Sequence, residues 1–343
     1  MASEVTSSNI FSENTKITDL HPEIIFTHIL PRIDHSSLGS LALASKQVHA
    51  LCNHESIWTS ICNSKWQSTK HLFLQNAISS FPGGHRSFFY DSYPILEFGN
   101  KCSWYNGHDT TLLQRPELLI SAVDIQYKNK NIYSKVDVIN TSTKSFASSS
   151  FKVEALNLKE FVRLPVKCEE EEDIHLSALK ENLKLSWISI DPTQKRAANI
   201  SSQLPVTVRP HWIDGDIEVK YVIVMPGDSS AGMSSELVEI RIIVMLEWGE
   251  EKTHLKLRNV SLQVHDMEGI CLQGGESLRI LQKAIQCGTR KKARRDEVID
   301  RYKSFVIKKG ERREGRQEGQ HKIVALLLAI FLVALIVHLY QCF

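Results

Sequence analysis

Between residues 17 and 66 the apolar positions recur at helical spacing. Pro22 and Glu23 suit a first helical turn, and Ile25 and Ile29 lie four apart on one face, followed by Leu30 and Ile33. A second segment opens near Ser36 and Ser37, residues suited to a cap, and sets Leu38, Leu41, Ser45, Val48 and Cys52 on one stripe. A third carries Ile57, Trp58, Ile61 and Cys62, with Trp66 beyond. A module of about 50 residues makes only a marginal core. The pattern therefore predicts three short helices whose apolar flank is completed by a partner.

Past a connector containing Pro and Gly at 67–115, the spacing changes to period two. Alternating runs at 119–125, 151–155, 183–187, 217–221 and 238–244, with one or two more between His254 and Val264, predict strands. Polar intervals at 168–175, 191–203 and 226–235 predict loops, and Leu278, Leu281 and Ile285 predict a closing helix. Seven or more short strands without helices between them point to an antiparallel sandwich.

The last pattern is an unbroken one. From Ile323 to Val337 there are 15 consecutive apolar residues, and the stretch continues to Phe343 past His338 and Gln341. Taken as 21 residues at about 1.5 Å each, it gives roughly 31 Å, close to a hydrocarbon core of roughly 30 Å. This predicts a single transmembrane helix. Lys308, Lys309, Arg312, Arg313, Arg316 and Lys322 precede it, and such residues stay on the cytoplasmic side. The N-terminal body is then expected in the cytosol and the localisation at a membrane whose identity the sequence does not give.

The fold class expected from these patterns is α+β, with a single transmembrane helix at the C-terminus. Its units are a disordered N-terminus at 1–16, a three-helix module at 17–66, a helical connector at 67–115, an antiparallel β-sandwich-like recognition domain at 116–288, a basic juxtamembrane segment at 289–322 and a membrane tail anchor at 323–343.

Charge sharpens the division. The net charge of +2 hides 13 Lys/Arg against 6 Asp/Glu in residues 290–322, which leaves the rest at 28 against 33. The basic run Arg290-Lys291-Lys292-Ala293-Arg294-Arg295, read alone, suits nuclear import or nucleic acid, but beside a span it suits anionic lipid headgroups; no nucleic-acid partner is expected. Seven widely spread cysteines without a C-x-x-C pair read as reduced thiols, and the N-terminus has no basic start or apolar stretch to direct secretion. No G-x-S-x-G, P-loop, H-E-x-x-H or dinucleotide fingerprint occurs. Neither a catalytic residue, a cofactor nor a metal is expected. Trp187 and Trp248 lie in alternating runs and read as core, whereas Trp212 lies in the loop-like stretch Arg209 to Asp216 and is the candidate substrate contact.

The run Leu20-His21-Pro22-Glu23-Ile24-Ile25, then Ile29-Leu30, Ile33-Asp34, Leu38, Leu41, Ala44-Ser45 and Ile57-Trp58 resembles the F-box motif in order and spacing. It departs from the usual start in having His21 between Leu and Pro. Together with Phe81-Pro82-Gly83-Gly84-His85-Arg86-Ser87-Phe88-Phe89, the chain resembles a plant F-box group over residues 17–288. The resemblance implies docking onto a Skp-type adaptor and, through it, a cullin-RING ubiquitin ligase, with an unknown protein client. Leu20, Pro22, Ile24, Ile25, Ile29, Leu30, Leu38 and Leu41 would supply the docking surface, while Ile29, Leu41, Val48 and Trp58 also read as residues that hold the helices together. A membrane-anchored lectin-like carbohydrate-binding protein is the alternative, since some plant F-box proteins carry such a body.

Overall fold

The computed structural model describes residues 20–97, 115–156, 162–167, 172–227, 237–249, 254–292 and 294–342. The N-terminal stretch at 1–16, the 98–114 part of the connector and Glu169 to Glu171 of the acidic run lie outside them. One helical turn, α1 (Pro22–Ile24), runs on as a π turn (Ile25–Ile29) and a 3-10 turn (Leu30–Arg32). Helices α2 (His35–Leu41), α3 (Lys46–Cys52), α4 (Glu55–Lys65), α5 (Leu72–Ser79) and α6 (Gly84–Ser92) follow. The chain then runs through β1 (Ile95–Glu97), β2 (Leu118–Tyr127), β3 (Lys130–Asn140), α7 (Lys144–Ser148), β4 (Lys152–Glu154), β5 (Val162–Lys167) and α8 (Glu172–Asn182). Strands β6 (Leu183–Asp191), β7 (Arg196–Asn199), β8 (Thr207–Pro210), β9 (Ile217–Pro226), β10 (Leu237–Trp248) and β11 (His254–His265) precede α9 (Gly274–Cys287), β12 (Thr289–Lys291) and α10 (Arg295–Cys342).

Among the described residues the strands form two sheets. The first has the order β12-β1-β7-β6-β2-β3, and the second β4-β11-β10-β9-β8, with β5 also paired to β11. Pairing is antiparallel throughout except between β1 and β7. Successive side chains of a strand point to opposite faces, and in β2 both faces are covered. Leu119, Val123, Ile125 and Tyr127 enter a core shared with Leu183, Leu185 and Trp187 of β6, the inward residues of β9, β10 and β11, and Leu278, Leu281 and Ile285 of α9. Ile120 and Ala122, with Ile188, Ile190 and Ala197, enter a second core against Trp58, Cys62, Trp66, Leu74, Ile78, Phe81, Phe88 and Phe89. The first sheet is thus the middle layer between the helices and the second sheet.

Helices also occur between strands, contrary to the pattern reading. The acidic start of α8 masked its periodicity, yet Leu179 is fully buried and His175 lies edge-on to Trp248 with ring centroids 5.5 Å apart.

The expected transmembrane helix is overturned. No helix among the described residues is long and apolar enough to cross a membrane. The apolar tail is the end of α10, a helix of 48 residues whose earlier part is rich in charge, and its uninterrupted run of 15 residues spans about 22 Å, short of a core of roughly 30 Å. The single-pass localisation falls with it. The basic residues that precede the run include two engaged by the body instead: Arg312 Nε lies 3.0 Å and Arg316 Nη2 3.9 Å from Glu268. Lys309 sits over the ring of Phe305 on α10 itself, at 5.8 Å. Lys308, Arg313 and Lys322 are exposed.

Candidate functional site

Three side chains cap the helices of the module. Asp34, rather than Ser36 or Ser37, caps α2: its carboxylate accepts from the backbone N–H groups of Ser36 (2.9 Å) and Ser37 (3.1 Å) and from both hydroxyls. Those bonds, led by the Ser36 hydroxyl, hold its pKa well below the usual carboxylate range. Ser45 caps α3 through Val48 N–H (3.2 Å) and His54 caps α4 through Ser56 N–H (3.4 Å).

In the π turn, Leu30 N–H bonds the Ile25 carbonyl, five residues back. Residues five apart in an α-helix lie about 140° apart around the axis, and a turn one residue wider narrows that angle. Ile25 and Leu30 can then both enter a small core with Leu38, Val48, Cys52 and Ile57.

That core sorts the eight residues expected at the docking surface. Ile25, Leu30 and Leu38 are interior, Leu20, Ile29 and Leu41 are half-buried at its edge, Ile24 is exposed, and Pro22 opens α1. Leu43, which the sequence reading did not select, is 87% exposed in the turn between α2 and α3. Its signal is that it falls outside the stripe of Leu38, Leu41, Ser45 and Val48. Beside it a mainly apolar groove of about 410 Å3 runs between α2 and α6, lined by His35, Gly39, Leu43, Phe89, Tyr90 and Tyr93.

The opposite flank of the module is closed by the chain itself. Trp58 donates its indole N–H to the Cys52 carbonyl (2.8 Å) and packs against Phe89, as does Trp66. Glu55, exposed on α4, accepts from His85 N–H (2.9 Å) at the start of α6. Gly84 lies at φ +55, and a Cβ there would meet the Glu55 carboxylate. Gly84→Ala is expected to lower stability by about 1–2 kcal/mol, through left-handed strain and loss of this cap; chemical denaturation measures it, and an unchanged midpoint would contradict the assigned role.

Two buried polar clusters fasten the helices to the first sheet. Asp124, in the middle of β2, accepts from Ser68 N–H (2.9 Å), the Ser68 hydroxyl (2.5 Å) and the Ser134 hydroxyl (2.9 Å), while burial pushes its pKa up. Asp91 of α6 accepts from Arg196 Nε (2.8 Å) and Nη2 (3.0 Å) and from Ala197 N–H (3.1 Å), and lies 3.2 Å from Arg290 Nε. Arg290 in turn donates to the carbonyls of Ala197, Ile285 and Gly288. One arginine therefore joins α6, β7 and the segment after α9.

On the body, Trp187 is fully buried and Trp248 half-buried against the main core. Trp212 stands at the tip of the β8–β9 hairpin, 88% exposed, with Ile213 beside it at 69%. The turn beneath is fixed. Gly215 takes φ +76, its N–H donates to the His211 carbonyl (3.0 Å), His211 Nδ1 lies 2.7 Å from Asp214, and Arg258 reaches Asp216 at 2.5 Å. Among the described residues no group of three or more His, Cys, Asp or Glu is placed to hold a metal ion.

No family model matches the chain, and no solved structure matches it. Three proteins of Arabidopsis thaliana do. One named as an F-box protein is 37% identical over 319 residues, covering 90% of this chain and 91% of its own. One named as a probable F-box protein is 37% identical over 312 residues, covering 89% and 88%. Another named as an F-box protein is 33% identical over 336 residues, covering 95% and 90%. With similarity of that extent running through the helices, both sheets and the C-terminal region, the chain belongs to the plant F-box protein family.

Proposed function

We propose that this chain is the client-recognition adaptor of a Skp-cullin-F-box ubiquitin ligase, with its helical module on a Skp-type adaptor and its β body on the client. The observation that carries the reading is the asymmetry of the module. One flank is stapled to the first sheet through Trp58, Trp66, Phe89 and Asp91, while Ile24 and Leu43 stand in solvent on segments outside that contact. Apolar side chains fixed on short helices suit a partner's groove. No side chain need do chemistry: the adaptor works by holding a client near a charged conjugating enzyme, which raises the effective concentration of the client's lysines. A rigid joint between module and body serves that mechanism, because a fixed span gives a fixed presentation. Trp212 and Ile213, on their braced hairpin tip, are the client contact in this reading, a rigid aromatic anchor being ordered before it binds.

The test is titration calorimetry of the full chain with a Skp-type adaptor. Ile24→Asp combined with Leu43→Asp is expected to weaken binding by roughly ten- to a hundredfold with little change in thermal stability, since both side chains are exposed. Leu30→Asp is a poor probe, because it places a charge inside the small core. Undiminished affinity in the double variant would remove the docking surface from the proposal.

A further inference from the structure

A pocket of about 190 Å3 opens where four parts of the fold meet: the end of α4 (Lys65), the residue after α6 (Tyr93), β6 with the 202–206 loop (Lys184, Gln203), and the start of α10 (Arg295). Three cations line it and no carboxylate does. Several other half-buried cations stand against acids: Lys220 and Arg241 on Glu239, Arg196 and Arg290 on Asp91. Here, among the described residues, the partners are neutral. Lys65 sits over the Tyr93 ring at 5.2 Å, Lys184 Nζ donates to the Asn129 side-chain oxygen (2.9 Å), and Arg295 Nη2 donates to the Lys180 carbonyl (3.2 Å). Burial, with Lys184 nearby, lowers the Lys65 pKa, the direction expected where like charges converge without a counter-charge.

We propose that this pocket binds a small phosphate-class oxyanion, held by Lys65, Lys184 and Arg295. Charge-assisted hydrogen bonds from several donors are the strong ones, and an anion here relieves the mutual repulsion of the three cations. The volume sets the size, since pockets for drug-sized ligands run to roughly 300–1,000 Å3; one phosphate group with a few waters suits the space. Because the ligands come from α4, β6 and α10, a bound anion clasps the docking module to both the first sheet and the C-terminal helix. This site is independent of the adaptor surface at Ile24 and Leu43.

The test is thermal unfolding of the full-length protein in inorganic phosphate against sodium chloride of equal ionic strength. Phosphate strengthens protein folds generally by exclusion from their surface, so the deciding quantity is the difference between wild type and variants. At about ten times the dissociation constant, phosphate is expected to raise the wild-type Tm by roughly 2 °C beyond that general effect. Lys65→Gln and, as a second variant on another element, Lys184→Gln are expected to lose the extra rise. Isothermal titration should give phosphate binding by the wild type and none by Lys65→Gln. An equal phosphate response in all three proteins overturns the site.

Discussion

Asp91→Ala is expected to lower the unfolding free energy by about 3–5 kcal/mol, the range for removing one partner of a buried ion pair. Asp91 is 8% exposed; its carboxylate accepts from Arg196 and from Ala197 N–H and lies 3.2 Å from Arg290 Nε. Its loss leaves two guanidinium groups facing each other without a counter-charge, and burial already lowers the pKa of Arg290. It also strands the Ala197 N–H beneath the helices. Asp91→Asn keeps an acceptor without the charge and should fall between wild type and Asp91→Ala. Urea unfolding followed by circular dichroism measures both. A loss under 1 kcal/mol in the alanine variant would show that the network does not hold α6 to the first sheet.

Acid is expected to weaken the fold in two separate windows. His265, 7% exposed at the end of β11, has its pKa lowered to about 4 by burial and by Arg241, with Lys309 and Lys220 also opposing a further positive charge and Glu239 favouring one. It is neutral in the folded protein at neutral pH. Its contribution is complete above the unfolded value of 6.5 and is lost as pH falls from there toward 4, because the unfolded chain takes up the proton first. At about 1.4 kcal/mol per unit this amounts to roughly 3–4 kcal/mol. Glu239, 1% exposed, behaves in the same direction lower down: burial opposes its ionisation, but Arg241 and Lys220 override it and bring its pKa to about 2. Its contribution is present above 4.5 and lost between 4.5 and about 2. His265→Gln should flatten the stability profile between pH 6.5 and 4 and leave the lower window intact. An unchanged slope in the upper window would assign that acid sensitivity elsewhere.

Local pattern carried the long strands. The alternating run at 238–244 lies inside β10, and the run at 217–221 inside β9, because each has one face in a core and neighbours that extend the same alternation. Strand β3 did not declare itself, since Lys130, Asn131, Lys135, Asp137 and Asn140 suit the free edge of a sheet as well as they suit a loop. In β2 the sequence gives apolar residues at both 119 and 120 but cannot say that Ile120 and Ala122 meet Trp66 and Phe88, which lie far along the chain. The same limit governs the proposed docking surface. Helical spacing marks Leu30 and Leu38 as apolar, and only the packing of α3 and α4 over them decides that they face inward. Conversely Leu43 falls outside the helical stripe, which marks it as off the core, and only its place in the turn between α2 and α3 shows how fully it is exposed. The tail misled for a related reason: hydropathy reads composition within a window, whereas the helix containing it begins at Arg295 and meets the body more than 20 residues upstream, where Lys220 Nζ donates to the Tyr302 hydroxyl.

Because the middle sheet needs a cover on each side, neither half of the molecule has a surface it can safely show alone. Separating the helices from the first sheet would leave Ile120, Ile188 and Trp66 wet, so neither part is expected to keep its fold without the other. Loss of the fold is then expected to be all or nothing across helices and sheets.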